Sequence, residues 1–301
     1  MLSIRLFGPT VGVIDGRTLT ASDMGGVKPR QILEILACHV GAAVTKDQLA
    51  DLLWEGRPPA SYLGTLESYV CVLRRRLGGG PEDARAFLRT TPHGYLLDPD
   101  HVRVDLADYR LHVGAALGTP GIAAVALTER ALALATGELL VSEPYAAWAV
   151  RARQSLQDES VELCVRAAAL AGAAGDHPRG IALAKRAFAG DPLSEDAGQQ
   201  LMRALWSAGR RSQALRVYAQ LRQALLDELG DEPGRESQEL YLAILRDPES
   251  SRRGAMTDAA AEIRVLLRLL RQAVDQTPGL RAPASDAGLF EVALADRLLV
   301  G

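Results

Sequence analysis

The sequence predicts a mainly α-helical protein in two parts: a small α+β unit with an antiparallel sheet, then a longer all-α unit. Three observations carry this. The first twenty residues alternate apolar and polar side chains around turn signals, the period-two mark of strands. From Pro29 to Leu77 apolar residues recur every three to four positions, the mark of amphipathic helices. From Asp105 onward strand signals vanish, Ala- and Leu-rich helical patterns take over, and a long-period repeat emerges.

Composition supports two folded units. The chain has 301 residues, 48% hydrophobic and 24% charged. That suits two domains of roughly 100–200 residues each and excludes wholesale disorder. No stretch approaches the ~18 apolar residues of a membrane span, and the N-terminus lacks a secretory pattern. The three cysteines, Cys38, Cys71 and Cys164, are odd in number and far apart. They read as small buried hydrophobes in a reducing cytoplasm rather than a disulfide framework. Net charge is −3, and residues 1–100 carry 11 basic and 11 acidic side chains. Charge balance alone therefore does not point to nucleic acid.

The elements follow in order. Ile4, Leu6, Val11 and Val13 alternate around Gly8-Pro9, and Asp15-Gly16 is a hairpin signal leading to a return strand at Thr18–Thr20. Pro29 suits a first helical turn, and Ile32, Leu33, Leu36 and Val40 share a face before Gly41 stops the helix. Thr45 and Gln48 form a capping box. It opens a short helix with Leu49, Leu52, Leu53 and Trp54 inward, which Gly56-Arg57-Pro58-Pro59 breaks. A third helix spans about Ser61 to Leu77. Leu66, Val70, Leu73 and Leu77 form its apolar stripe, and Gly64, Ser68, Cys71 and Arg75 lie opposite. Arg74 and Arg76 are its shoulders. A narrow, small, basic face suits a helix entering a major groove, although a solvated face with an incidental Arg run fits the same residues. After a Gly/Pro/Asp linker at Gly78–Asp83, Phe87–Thr91 and Tyr95–Leu97 read as strands joined at Thr91-Pro-His-Gly94. Sheet, three helices and a hairpin directly after the basic third helix is the layout of a winged helix-turn-helix.

In the second unit, Asp105–Leu117, Ala124–Ala135 and Trp148–Ala173 are amphipathic. Gly175 and Gly209 stand 34 residues apart, as do Ile181 and Leu215, and Leu183 and Val217. That is the tetratricopeptide period, in which stacked helix pairs bury what one pair cannot. A generic helical bundle is the plainer alternative. Glu262–Val274 and Leu289–Leu299 are two further amphipathic stretches, separated by a Pro/Gly/Ser segment.

The stretches Val27–Leu33, Gln48–Trp54, Thr65–Val70, Leu73-Arg-Arg-Arg-Leu77 and Thr91–Leu96 resemble the OmpR/PhoB-type winged helix of the Streptomyces antibiotic regulatory proteins, the SARP family. Leu201–Leu215 with Val217-Tyr218, Leu226–Gly234 and Leu240–Leu245 resemble the bacterial transcriptional activator domain of the same family. The resemblance covers about residues 1–247. It implies a DNA-binding domain over 1–99 and an activator domain over 105–247; it does not extend to 255–301, where the amphipathic stretches predict an extra helical tail.

It also implies a cytoplasmic transcriptional activator, pathway-specific for a secondary-metabolite or antibiotic gene cluster in an actinobacterium. Its partners would be double-stranded promoter DNA with direct repeats, bound by side-by-side copies, and RNA polymerase holoenzyme with its sigma factor. Arg74 and Arg76 are assigned mainly to phosphates and Arg75 to base edges, with Ser68 and Tyr69 on or beside the groove face. Arg89, Thr90, Thr91 and His93 belong to the wing, and Lys28 and Arg30 are phosphate anchors. Gly64 cannot read a base and Val72 nearby is apolar, so DNA shape or a thymine methyl carries part of the readout. In OmpR-like activators the loop matching Glu55, Arg57, Pro58 and Pro59 faces RNA polymerase; a rigid connector is the alternative.

No GxxxxGK[ST], GxSxG or HExxH occurs, and the histidines lack ligand spacing. No enzyme, cofactor or metal site is expected. Two rival functions stay open: a tetratricopeptide-type interaction scaffold whose winged helix touches protein, and a DNA-binding repressor.

Overall fold

The computed structural model describes residues 1–78 and 86–247. The expected tail and most of the linker at Gly78–Asp83 lie outside the described residues.

β1 (Leu2–Arg5) buries every second side chain, which requires one covered face. It pairs antiparallel with β2 (Val11–Ile14), which pairs with β3 (Arg17–Leu19). The β2–β3 turn is Asp15-Gly16, with φ of 49° and 82°, the left-handed pair that a two-residue hairpin demands. The other edge of β1 carries a strand the sequence reading omitted, β7 (Val102–Val104), which runs parallel to it.

Three helices pack beneath: α1 (Val27–Cys38), α2 (Lys46–Trp54) and α3 (Tyr62–Leu77). The Thr45–Gln48 capping box forms in both directions, each bond 3.1 Å. The expected stripe of α3 is buried: Leu66, Val70, Leu73 and Leu77 are all at most 1% exposed. A second sheet, ordered β4-β6-β5, comprises β4 (Val44–Thr45), β5 (Leu88–Thr90) and β6 (Gly94–Leu97). Cys38 and Cys164 are buried, but Cys71 is exposed. Its position opposite the stripe outweighs the general tendency of cysteine to bury.

The second unit is all helix: α4 (Asp105–Gly118), α5 (Ala123–Leu134), α6 (Ala147–Ala173), α7 (His177–Gly190), α8 (Glu195–Ser207), α9 (Arg211–Leu229) and α10 (Arg235–Arg246). The chain is thus mainly α, with small N-terminal sheets. Gly175 turns α6 into α7 and Gly209 turns α8 into α9, with φ of 77° and 74°. Both glycines take the left-handed geometry that closes the turn, at the same point of the repeat. No helix among the described residues is long and apolar enough to cross a membrane.

Packing runs across the 99/105 division of the sequence pattern, because one core cluster extends from Leu2 to Leu163. Asp105 opens α4 and accepts the backbone N–H groups of Leu6 and Phe7 at 2.9–3.1 Å. Phe7 forms an antiparallel bridge with Leu139. An ionic cluster lies beside it. Arg30 of α1 pairs with Glu143, which also accepts from Gln31 at 2.7 Å. Glu34, fully buried, accepts from Thr10 at 2.6 Å and lies 3.5 Å from Arg30 Nε. Burial pushes the Glu34 carboxyl up to about 7, against the pull of Thr10 and Arg30.

Candidate nucleic-acid interface

The outward face of α3 follows from its buried one. With the stripe held in the core, Gly64, Ser68, Cys71, Arg75 and Arg76 are exposed. Among the described residues Arg75 reaches only the Cys71 sulfur, at 3.6 Å. Neither Arg75 nor Arg76 has an ion-pair partner within 4 Å among the described residues. Ser68 donates to the Gly64 carbonyl at 2.9 Å, so its hydroxyl oxygen retains acceptor capacity.

Arg74 does something different. It is half-buried. Its guanidinium donates to the Leu88 carbonyl at 2.8 Å and to Thr90 Oγ1 at 2.7 Å, and lies 6.0 Å from the centre of the Tyr95 ring. Leu88 and Thr90 belong to β5 and Tyr95 to β6. Arg74 therefore ties α3 to the wing, and its fork of donors is committed to protein acceptors instead of phosphates. Tyr69, expected on or beside the groove face, packs half-buried against the core. Val72, expected near the groove face, packs against the turn at Gly25.

The wing is built on close backbone approach. Thr91 N–H donates to the Gly94 carbonyl and Gly94 N–H to Thr91 Oγ1, at 2.9 and 3.0 Å. The Thr91 hydroxyl thus closes the turn. Pro92 and His93 are exposed at its tip. Arg89 is exposed but pairs with Asp98 at 3.1 Å. Hydrogen bonds to the Asp100 backbone and to Arg89 hold the Asp98 carboxyl below its usual range, despite some desolvation.

Lys28 and Arg30 are not disposed as phosphate anchors. Lys28 Nζ donates to the Leu53 carbonyl at 2.6 Å and to Gln31 at 3.1 Å. Arg30 is spent on Glu143 and Glu34. Two residues apart on α1, they reach different acceptors, Leu53 at the end of α2 and Glu143 ahead of α6, which a local motif does not reveal. Lys46, at the start of α2, went unsingled in the sequence. It pairs with Glu67 of α3 at 2.7 Å and lies over Tyr95, neutralising an acid on the candidate face. Its signal was the capping box, which fixes the residue after Thr45 as the first of the helix.

The loop between α2 and α3 is exposed from Glu55 to Ala60. Glu55 caps α2 in left-handed geometry, with φ of 51°, and Gly56 follows at 75°. With Pro58 and Pro59 behind them, these turns give Arg57 a stiff mount. Among the described residues no cluster of His, Cys, Asp and Glu could hold a metal.

Comparison with known proteins agrees with this architecture. Residues 26–97 match the family model described as transcriptional regulatory protein, C terminal, and residues 105–245 match the bacterial transcriptional activator domain. The chain is similar to the regulatory protein DnrI of Streptomyces peucetius, at 35% identity over 87% of this chain and 99% of that one. It is similar to the transcriptional regulator RedD of Streptomyces coelicolor, at 31% identity over 82% of this chain and 71% of that one. The structure of Mycobacterium tuberculosis EmbR in complex with a low-affinity phosphopeptide aligns with a TM-score of 0.67 at 29% identity, covering 88% of this chain and 70% of that one. The chain belongs to the SARP family of transcriptional regulators, with a winged helix joined to a bacterial transcriptional activator domain.

Proposed function

We propose that this regulator binds promoter DNA directly and activates transcription of a secondary-metabolite gene cluster in the cytoplasm. The observation that supports it most is the outward face of α3. It is small, exposed and basic at Arg75 and Arg76, and it adjoins the wing. A major groove admits such a helix. Arg75, opposite the stripe, is assigned to base edges, and Arg76, on the shoulder, to phosphate. Ser68 and His93 remain candidate contacts. With few uncompensated cations, one copy binds weakly, so side-by-side copies on direct repeats supply avidity.

Gel-shift titration on the promoters of its own gene cluster tests the reading. Arg75→Ala should cost roughly 1–3 kcal/mol and relax discrimination at one base pair. Arg76→Ala should weaken all sequences alike and lower the salt slope by about one unit. If both variants bind like the wild type across a salt series, α3 is not the recognition helix. If no promoter binds, an interaction scaffold replaces the DNA reading.

The loop at Glu55, Arg57, Pro58 and Pro59 is assigned to RNA polymerase holoenzyme on its exposure and stiffness. Arg57→Ala should lower transcription in vitro while operator affinity stays within about threefold, under 1 kcal/mol. Unchanged transcription would remove the polymerase contact. Operators overlapping the transcription start, instead of lying upstream of the promoter elements, would make the protein a repressor.

A further inference from the structure

A concave site lies away from α3, where the two units meet. A cavity of about 440 Å³ opens between Phe7, which follows β1, and helices α4, α6 and α7. That is within the range of small-molecule pockets. Phe7, Leu139 and Leu156 line it with apolar surface, and Ser160, Tyr109 and Arg186 line it with polar groups.

Two of those polar groups are unmatched. Tyr109 is fully buried, edge-on to Phe7 with ring centres 5.9 Å apart, and among the described residues its hydroxyl meets no hydrogen-bond partner of good geometry. Ser160 lies close enough to oppose the rise of the Tyr109 value, but no hydrogen bond of good geometry joins the two hydroxyls. Desolvation foremost, with the Glu159 charge adding to it, pushes the Tyr109 hydroxyl up to about 12, so it stays a donor at any working pH. Buried donors are normally matched. Arg186 of α7 is exposed at the cavity, with no ion-pair partner within 4 Å among the described residues. The other guanidinium in the wall, Arg153, is spent on the Leu139, Leu140, Glu143 and Pro144 carbonyls and on Glu138.

We propose that this cavity binds a compact amphiphilic organic acid. Its ring body rests on Phe7, Leu139 and Leu156, its acidic group meets Arg186, and an acceptor oxygen takes the Tyr109 hydroxyl. An anion paired with a guanidinium makes the stronger class of hydrogen bond, and the apolar wall excludes a bare inorganic anion as the preferred occupant. The occupant would touch both units at once, because Phe7 is bridged to Leu139 across their junction.

The test uses the full chain without DNA, so its outcome is separate from that of the DNA reading. The probe is 8-anilinonaphthalene-1-sulfonate, followed by fluorescence, with uncharged N-phenyl-1-naphthylamine alongside. The sulfonate should bind saturably at one site. Arg186→Gln should weaken it about tenfold and leave the uncharged probe unaffected. Val150→Trp, placed in the cavity wall where the side chain is 46% exposed, should abolish both. Tyr109→Phe should weaken the sulfonate while the melting temperature holds or rises, since an unmatched hydroxyl is removed. Equal sulfonate binding by the wild type and Val150→Trp, or by the wild type and Arg186→Gln, overturns the proposal. So does no sulfonate binding by the wild type.

Discussion

Arg30→Ala should destabilise the protein by about 3–5 kcal/mol, the cost of stripping one partner from a buried ion pair. The reason is what remains. Glu143 is 6% exposed and Glu34 fully buried, and Arg30 is the cation beside both. In a chain of this size the melting temperature should fall by roughly 10 °C. Arg30→Ala combined with Glu143→Gln should recover part of that loss, because the uncompensated carboxylate is gone.

The pH dependence follows from Glu34, whose folded value of about 7 exceeds its ordinary 4.5. In that window the folded state holds more protons than the unfolded state. Stability contributed by this group is complete below about pH 4.5 and is lost as pH rises through about 7. Removing Arg30 takes away a charge that favours the carboxylate, so the window moves upward. The deficit of Arg30→Ala should therefore be larger at pH 8 than at pH 5, measured by urea unfolding at both. Operator affinity of the folded fraction should stay within about threefold, since Arg30 faces Glu143 and not the outer surface of α3. A tenfold loss of affinity with unchanged stability would restore Arg30 as a phosphate contact.

Gly94→Ala should cost about 3 kcal/mol, the upper part of the usual range for overpacking. A Cβ at Gly94 would stand 1.9 Å from the Val44 carbonyl oxygen and 2.8 Å from Thr45 Cα. Both are backbone atoms of β4, which cannot swing aside as a side chain would. The β4–β6 pairing must open, and with it the wing. The same substitution at Gly64 should have the opposite sign. Nothing lies within 4 Å of a Cβ there, and Ala in place of Gly inside a helix stabilises by roughly 1 kcal/mol. Thermal melts of the two variants check the pair. If Gly94→Ala melts like the wild type, β4 and β6 do not meet this closely.

Legibility was uneven for physical reasons. Helix periodicity is local, so the stripe at Leu66, Val70, Leu73 and Leu77 and the outward face opposite it could be read from spacing alone. The hairpin at Asp15-Gly16 and the glycine turns at Gly175 and Gly209 were legible because left-handed backbone selects its residues. β7 was missed: its partner β1 lies some hundred residues away, and parallel pairing of three-residue strands leaves no local signature. Among the interface candidates, Arg75 and Arg76 stand exposed as read, whereas Lys28, Arg30, Tyr69 and Arg74 do not. A charged residue in a motif announces its charge but not the acceptor it will meet.

The sequence by itself determined the two patterns, the family resemblance, the helices with their buried stripes, and the absence of the catalytic motifs sought. Tertiary structure alone decided which arginines are spent. Arg74 serves the wing, Arg30 the junction and Arg153 the carbonyls after Leu139, while Arg75, Arg76 and Arg186 remain without ion-pair partners among the described residues. Periodicity reports which face of an element is apolar, because burial is repaid over many neighbouring residues. The partner of a charge is a single group that folding brings from far along the chain, and no local pattern encodes it.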